Sequence, residues 1–173
     1  MSGVTGFSSW VLAGVDMGYG HLRAAWALAD HLGLAVSRVD RPPLADASEA
    51  RLWARFLRAY GRLSRASQRP VVGPPFQWLL DRITAIGPVA GHGSASRPGL
   101  ASRRVDRLIE HGLGAGLARH LQDTGGALLT TFYAPALAVD RLCNVPVFCV
   151  VTDTDIHRVW APSDGRDCLL YTS

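Results

Sequence analysis

Near its N-terminus the chain reads Trp10-Val11-Leu12-Ala13-Gly14-Val15-Asp16-Met17-Gly18-Tyr19-Gly20-His21, and an amphipathic stretch then runs from Leu22 to Leu32. An apolar run, a glycine-containing turn and an amphipathic segment in this order predict strand, loop and helix. Gly18 and Gly20 let the backbone turn sharply and come close to a bound group, while the first turn of the helix points unpaired N–H groups at it. His21 stands at that mouth, with a side chain able to move a proton near neutral pH. The plainer alternative is a tight strand-to-helix turn with a surface histidine.

The spelling of the loop argues against three familiar motifs. A dinucleotide fingerprint G-x-G-x-x-G starting at Gly18 meets Arg23 where the third glycine belongs. A phosphate-binding P-loop requires a lysine, and all 18 basic residues of this chain are arginine. No G-x-S-x-G nucleophile elbow is present, the nearest stretch being Gly91-His92-Gly93-Ser94-Ala95-Ser96.

Outward from the loop, Leu22, Ala25, Trp26 and Ala29 recur at helical spacing, and Gly33 supplies a stop before a short strand over Leu34 to Val39. Asp40 to Ala47, with Pro42 and Pro43, reads as a loop, and a long helix is expected from Ser48 to Arg69, closed by Pro70. A further break covers Val71 to Pro75, a short helix Phe76 to Ile86, and a glycine, serine and proline loop Gly87 to Pro98. Val105, Leu108, Ile109, Leu117 and Leu121 predict one helix from Ser102 to Gln122, with Gly112, Gly114 and Gly116 serving close packing. Ala127 to Thr131 reads as a buried strand, Pro135 suits the first turn of a helix to Leu142, and Val145 to Thr152 reads as another strand. Strands alternating with helices imply an α/β fold, a parallel sheet with helices on both faces. Ligands in such sheets bind at the carboxyl ends of the strands, which brings together Gly18 to His21, Thr131 to Tyr133 and Asp153 to His157.

A chain of 173 residues with 48% hydrophobic content can bury one good core. Its apolar runs fall far short of the roughly 20 residues needed to cross a bilayer, and no basic-then-apolar leader opens it, so the expected location is cytoplasmic. Cys143, Cys149 and Cys168 show no C-x-x-C spacing and suit a reducing compartment as passive core thiols. The net charge of +4 favours an anionic partner such as a phosphate, an acidic lipid surface or nucleic acid, without choosing among them.

Asp153, Asp155 and His157 alternate, so an extended chain past Thr152 sets them on one face as a proton-handling group. The D-x-D spelling invites a hard cation, but no third carboxylate ligand is evident and no metal is expected. The competing assignment is a helix or turn cap with a structural histidine. Arg51, Arg55, Arg58, Arg62, Arg65 and Arg69 follow alternating steps of four and three, one narrow stripe opposite Trp53, Phe56, Leu57, Tyr60 and Leu63. That pattern suits anionic lipid headgroups if the apolar face is exposed, or an acidic partner if only the arginines are. A core-packed helix with a solvated arginine face is the alternative. No nucleic-acid motif accompanies the stripe.

Two segments, Gly18-Tyr19-Gly20-His21-Leu22-Arg23-Ala24-Ala25 and Val150-Val151-Thr152-Asp153-Thr154-Asp155-Ile156-His157-Arg158-Val159-Trp160, resemble the glycine-rich loop and the V-T-D segment ending in H-x-x-W of GT-B glycosyltransferases. The branch is that of monogalactosyldiacylglycerol synthase and the lipid II N-acetylglucosaminyltransferase. Thr130 to Ala136 also fits that family's strand-to-helix corner, and the likeness extends to about Pro162. The resemblance implies a Rossmann-like acceptor-binding domain over residues 1–162. Its partners would be a nucleotide-sugar donor, held mainly by a C-terminal domain, and a lipid or other hydroxyl acceptor. It implies no cofactor, and a peripheral position on the inner face of the membrane. His21, Asp153 and His157 become the catalytic candidates, and Gly18, Tyr19, Gly20, Thr131, Tyr133 and Asp155 the substrate-binding ones. The six arginines of the stripe become membrane or anion contacts. Cys168-Leu169-Leu170-Tyr171-Thr172-Ser173 reads like translated sequencing adapter, so residues 163–173 are expected to be a non-native or disordered tail. The nucleotide-sugar domain is then missing and the fragment inert alone. A sugar-nucleotide epimerase half and a non-catalytic binder of anionic ligands or membranes are the other functions carried forward.

Overall fold

The computed structural model describes residues 9–17, 19–67, 100–152 and 169–172. The elements are β1 (Trp10–Gly14), α1 (Tyr19–Leu32), β2 (Val36–Arg38), α2 (Ala47–Ser67), α3 (Leu100–Glu110), α4 (Ala115–Thr124), β3 (Ala127–Thr130), α5 (Tyr133–Leu142), β4 (Val147–Val151) and β5 (Leu169–Thr172). The strands form one sheet in the order β2-β1-β3-β4-β5, every neighbouring pair parallel. This is the expected Rossmann-like α/β architecture. The anticipated helix over Phe76 to Ile86 and loop over Gly87 to Pro98 lie outside the described residues. Four residues of the expected tail, Leu169–Thr172, pair with β4 as the edge strand β5.

Because strand side chains alternate, the sheet builds two apolar layers. Val11, Ala13, Leu128, Cys149 and Val151 face a large core that α2, α3, α4 and α5 complete with Trp53, Val105, Ile109, Leu117 and Val139. Leu12 and Leu129 face the other way, where Ala29 and Leu28 of α1 cover them together with Trp10, Val36, Phe148 and Val150. Gly14 sets how closely α1 approaches, since a Cβ there would press on Val36 Cγ1 and Leu22 Cδ1. Trp26 departs from the expected apolar stripe and is 50% exposed. At 100° per residue it lies about 60° from the centre of the stripe that Leu22, Ala25 and Ala29 bury.

The single helix expected from Ser102 to Gln122 is two. Gly112 takes φ +101°, and its N–H bonds the Ile109 carbonyl at 2.9 Å while the Leu113 N–H bonds the Leu108 carbonyl at 2.9 Å. That pair of bonds is a Schellman cap, and the left-handed residue it needs is a glycine. A Cβ on Gly112 would meet nothing, so this glycine serves the turn and not close packing. Gly114 and Gly116 do serve close packing, against Ala138 and the Leu44 carbonyl respectively.

The glycine at the start of α4 has no side chain with which to cap its helix, and the cap comes from α2 instead. Asp46 first caps α2 itself, its Oδ1 accepting the N–H groups of Ser48 at 2.8 Å and Glu49 at 2.9 Å. The Ser48 hydroxyl, then these two N–H groups, hold the Asp46 carboxyl below its ordinary value. That releases the Glu49 side chain to reach across the molecule. Its Oε1 accepts the Gly114 N–H at 2.8 Å and the Trp53 indole N–H at 3.2 Å, and its Oε2 accepts the Gly116 N–H at 2.9 Å. Glu49 is 4% exposed and Trp53 wholly buried. A carboxylate at a helix N-terminus is favoured by the unpaired N–H groups and the helix dipole. Burial nevertheless outweighs these bonds and raises the Glu49 carboxyl above its ordinary value.

Replacing Glu49 by alanine strands three buried donors, and we expect a loss of about 3 kcal/mol, read as a melting-temperature fall of roughly 6–12 °C by circular dichroism. The raised carboxyl also fixes a sign. The folded state holds the Glu49 proton more tightly than the unfolded chain, so the linked stabilisation is complete below the ordinary carboxylate range and is lost as pH rises through the folded value. The stability advantage of the wild type over Glu49→Gln should therefore shrink from acid toward neutral pH. An advantage that grows over that interval contradicts the assignment.

Candidate functional site at the carboxyl edge of the sheet

β1, β3 and β4 end side by side, and the chain leaving β1 returns as α1 with His21 in its first turn. The imidazole is 8% exposed and its Nδ1 lies 2.9 Å from the Thr131 carbonyl oxygen and 2.8 Å from the Thr152 hydroxyl. In return the Thr131 hydroxyl donates to the His21 carbonyl at 2.8 Å. A carbonyl cannot donate, so Nδ1 carries the proton facing Thr131 and the lone pair of the neutral ring resides on Nε2. The Phe132 ring stands 5.1 Å from the imidazole, centroid to centroid. Below this contact the Thr130 hydroxyl donates to the Ala13 carbonyl at 3.1 Å, tying the ends of β3 and β1 together. The arrangement holds the imidazole by Nδ1 at the carboxyl edge of a parallel sheet, so that proton transfer by this ring would run through Nε2.

Two of the three segments expected to meet do so, Gly18 to His21 through His21 and Thr131 to Tyr133 through Thr131. The third, Asp153 to His157, lies outside the described residues; Thr152, which precedes it and is not part of that expectation, reaches His21. Gly18 and Arg69 are outside them too, as are the side chains of Tyr19 and Arg65. Gly20 sits within α1 and is not among the glycines of positive φ, so no unusual turn requires it; among the described residues nothing lies within 4 Å of a Cβ placed there. Thr131 is 1% exposed, with its hydroxyl committed to the His21 backbone, so it holds the histidine in place. Tyr133 is buried in an aromatic cluster, 4.4 Å from the Phe132 ring and 6.5 Å from that of Phe56.

Arg51, Arg55, Arg58 and Arg62 are exposed, and among the described residues none has a carboxylate within 4 Å. Trp53, Phe56 and Leu57 on the other side of α2 pack into the main core. That corrects the form of the amphipathic expectation that left the apolar face exposed: the face is occupied by the protein's own sheet and helices. Among the described residues no helix is long and apolar enough to cross a membrane, and no three His, Cys, Asp or Glu side chains gather as metal ligands.

Sequence reasoning did not anticipate Thr152, nor the ion cluster on the β2 side of the same edge. Arg38 makes a bidentate pair with Asp40, Nε to Oδ1 at 2.9 Å and Nη2 to Oδ2 at 2.8 Å, and reaches Asp16 at 3.4 Å. The hydrogen-bonded Asp40 carboxylate raises the guanidinium pKa further. The available signal was Asp16 and Arg38 at the ends of adjacent parallel strands. Parallel βαβ pairing made that meeting foreseeable.

These features define an α/β protein of the Rossmann-like class with a buried histidine at the carboxyl edge of its sheet. Comparison with protein-family models, with curated proteins and with solved structures finds no match for the chain.

The tautomer is directly measurable. Long-range proton–nitrogen NMR at about pH 8 should show His21 Nδ1 protonated and Nε2 bearing the lone pair. Thr152→Val should preserve that pattern, since the Thr131 carbonyl remains. The opposite assignment in the wild type rules out the proposed hydrogen-bond roles.

Proposed function

We propose that this chain is the acceptor-binding half of a GT-B glycosyltransferase, moving a sugar from a nucleotide-diphosphate donor to a lipid-linked or other hydroxyl acceptor. The observation that carries the reading is the His21 ring, anchored through Nδ1 to Thr131 and Thr152 at the carboxyl edge of the sheet. In this mechanism Nε2 takes the acceptor hydroxyl proton as its oxygen bonds the anomeric carbon. The bond from that carbon to the nucleotide diphosphate breaks, and its electron pair leaves with the diphosphate. Asp153 and His157, continuing from Thr152 in sequence, are the second candidates for base or acceptor contact, and Asp155 for substrate binding. The resemblance of the glycine loop and V-T-D segment supports the same reading.

The protein expressed from its complete reading frame should transfer hexose from a UDP-sugar to diacylglycerol or a polyprenyl-linked acceptor. His21→Ala should lower kcat/KM by about 100-fold or more, the usual contribution of a positioned general base. A free UDP-sugar epimer formed without acceptor would favour the epimerase alternative, and transfer unchanged in the variant would sink the role given to His21.

The arginine face of α2 supports a second reading, an anionic-surface function that places the protein peripherally on the cytoplasmic side of a membrane. With its apolar side packed inward, α2 acts through headgroup electrostatics rather than insertion. Co-sedimentation with vesicles rich in phosphatidylglycerol should be lost when Arg51, Arg55, Arg58 and Arg62 become glutamine, and should weaken steeply between about 0.1 and 1 M salt. Equal binding by the quadruple variant would refute this reading.

A further inference from the structure

We propose that the cleft between the β2–α2 loop and α4 binds an organic phosphate, at a site separate from His21. The cleft encloses about 720 Å³, within the range of roughly 300–1,000 Å³ typical of small-molecule sites. Its two sides are chemically different. Pro42, Pro43 and Leu44 give it an apolar wall, while Arg41 from the loop and Arg119 and His120 from α4 give it a basic one.

The local charge pairing leaves this wall positive. Asp40 is taken by Arg38 through both carboxylate oxygens, at 2.9 and 2.8 Å, so Arg41 keeps only a 3.9 Å approach to it. Arg119 has no carboxylate within 4 Å among the described residues; its Nε rests 3.4 Å from the carbonyl of Ala115 on its own helix. Arg38 adds a third guanidinium to the lining, set against Asp123 there and against Asp46, whose charge interacts with that of Arg119 from outside the cleft. Guanidinium forks match phosphate oxygens, and prolines offer flat contact to the organic part of an ester. The volume exceeds what inorganic phosphate fills, which is why an ester is the inferred class.

The cleft is also well founded mechanically. Gly116 lines it and is held by its N–H to Glu49, so the α4 wall is fixed to α2 independently of any ligand. The inference does not depend on the glycosyltransferase reading.

Phenyl phosphate titrated into the full chain at constant ionic strength tests it, followed by amide shifts of Val36, Leu44 and Gly116. Vesicles carrying phosphatidic acid form a parallel arm. Saturable phenyl phosphate binding that Arg119→Gln weakens about tenfold or more supports a soluble ester, tenfold being the expected loss of one charge-assisted contact. Arg119-dependent binding confined to the vesicles supports the same phosphate chemistry with a lipid headgroup as its source. Arg104→Gln, on the exposed side of α3 and outside both the cleft and the arginine stripe, is the control, and unchanged melting of both variants certifies their folds. No binding in either arm, or equal weakening by Arg104→Gln, overturns the proposal.

Discussion

The buried Glu49 carboxylate joins parts of the chain that local structure alone would leave independent. Its partners are the backbone N–H groups of Gly114 and Gly116, 65 and 67 residues further on. Two packed glycines put those donors within reach: a side chain at Gly116 would strike the Leu44 carbonyl, and one at Gly114 would strike Ala138. The same carboxylate receives the indole of Trp53, the largest fully buried side chain. Helix capping, core packing and the seating of α4 against α2 therefore meet in one charged group. Three donors converging on that charge offset part of its burial cost, and the remainder raises the carboxyl.

At the opposite side of the main core, Thr131 does for His21 what Glu49 does for α4. Its carbonyl fixes the ring and its hydroxyl fixes the histidine backbone, at 2.9 and 2.8 Å. β3 presents Thr131 through its pairing with β1, so the orientation of the imidazole is a product of sheet register. A slip of one residue would turn Thr130 and Thr131 to the wrong faces and release both contacts. The His21 imidazole thus rests on the most central strands of the sheet, while Arg51 and Arg58 on the exposed face of α2 donate to carbonyls of their own helix.

Much of this was legible in the chain. The strands announce themselves as short apolar runs bounded by glycine, proline or polar turns, and their alternation with helical periodicity led directly to a parallel sheet. The parallel topology alone puts His21 and Thr131 at one edge of the sheet. The break after Glu110 left a trace in the spacing, since at 100° per residue Leu117 and Leu121 fall about 120° from Val105 and Ile109; what hid it is that a glycine at 112 fits both a packed helix and a left-handed cap. Glu49 was hidden for another reason: it lies at the head of an arginine-rich helix where an acidic residue looks solvated, and its partners are backbone groups with no side-chain signature. Thr152 offered only a hydroxyl at a strand end, common enough to carry no distinguishing signal.

The strand order has a consequence for how the molecule assembles. β1 finds β2 through one intervening helix, and β3 finds β4 in the same way, so each is a local βαβ unit. The seam between the units is β1 with β3, where the Thr130 hydroxyl meets the Ala13 carbonyl across 117 residues of chain. Closing so long an excursion is entropically costly and slow compared with forming either unit. Docking of two prebuilt halves along that seam is the step expected to set the folding rate, and the histidine clasp, which joins α1 to the end of β3, comes into being only after it.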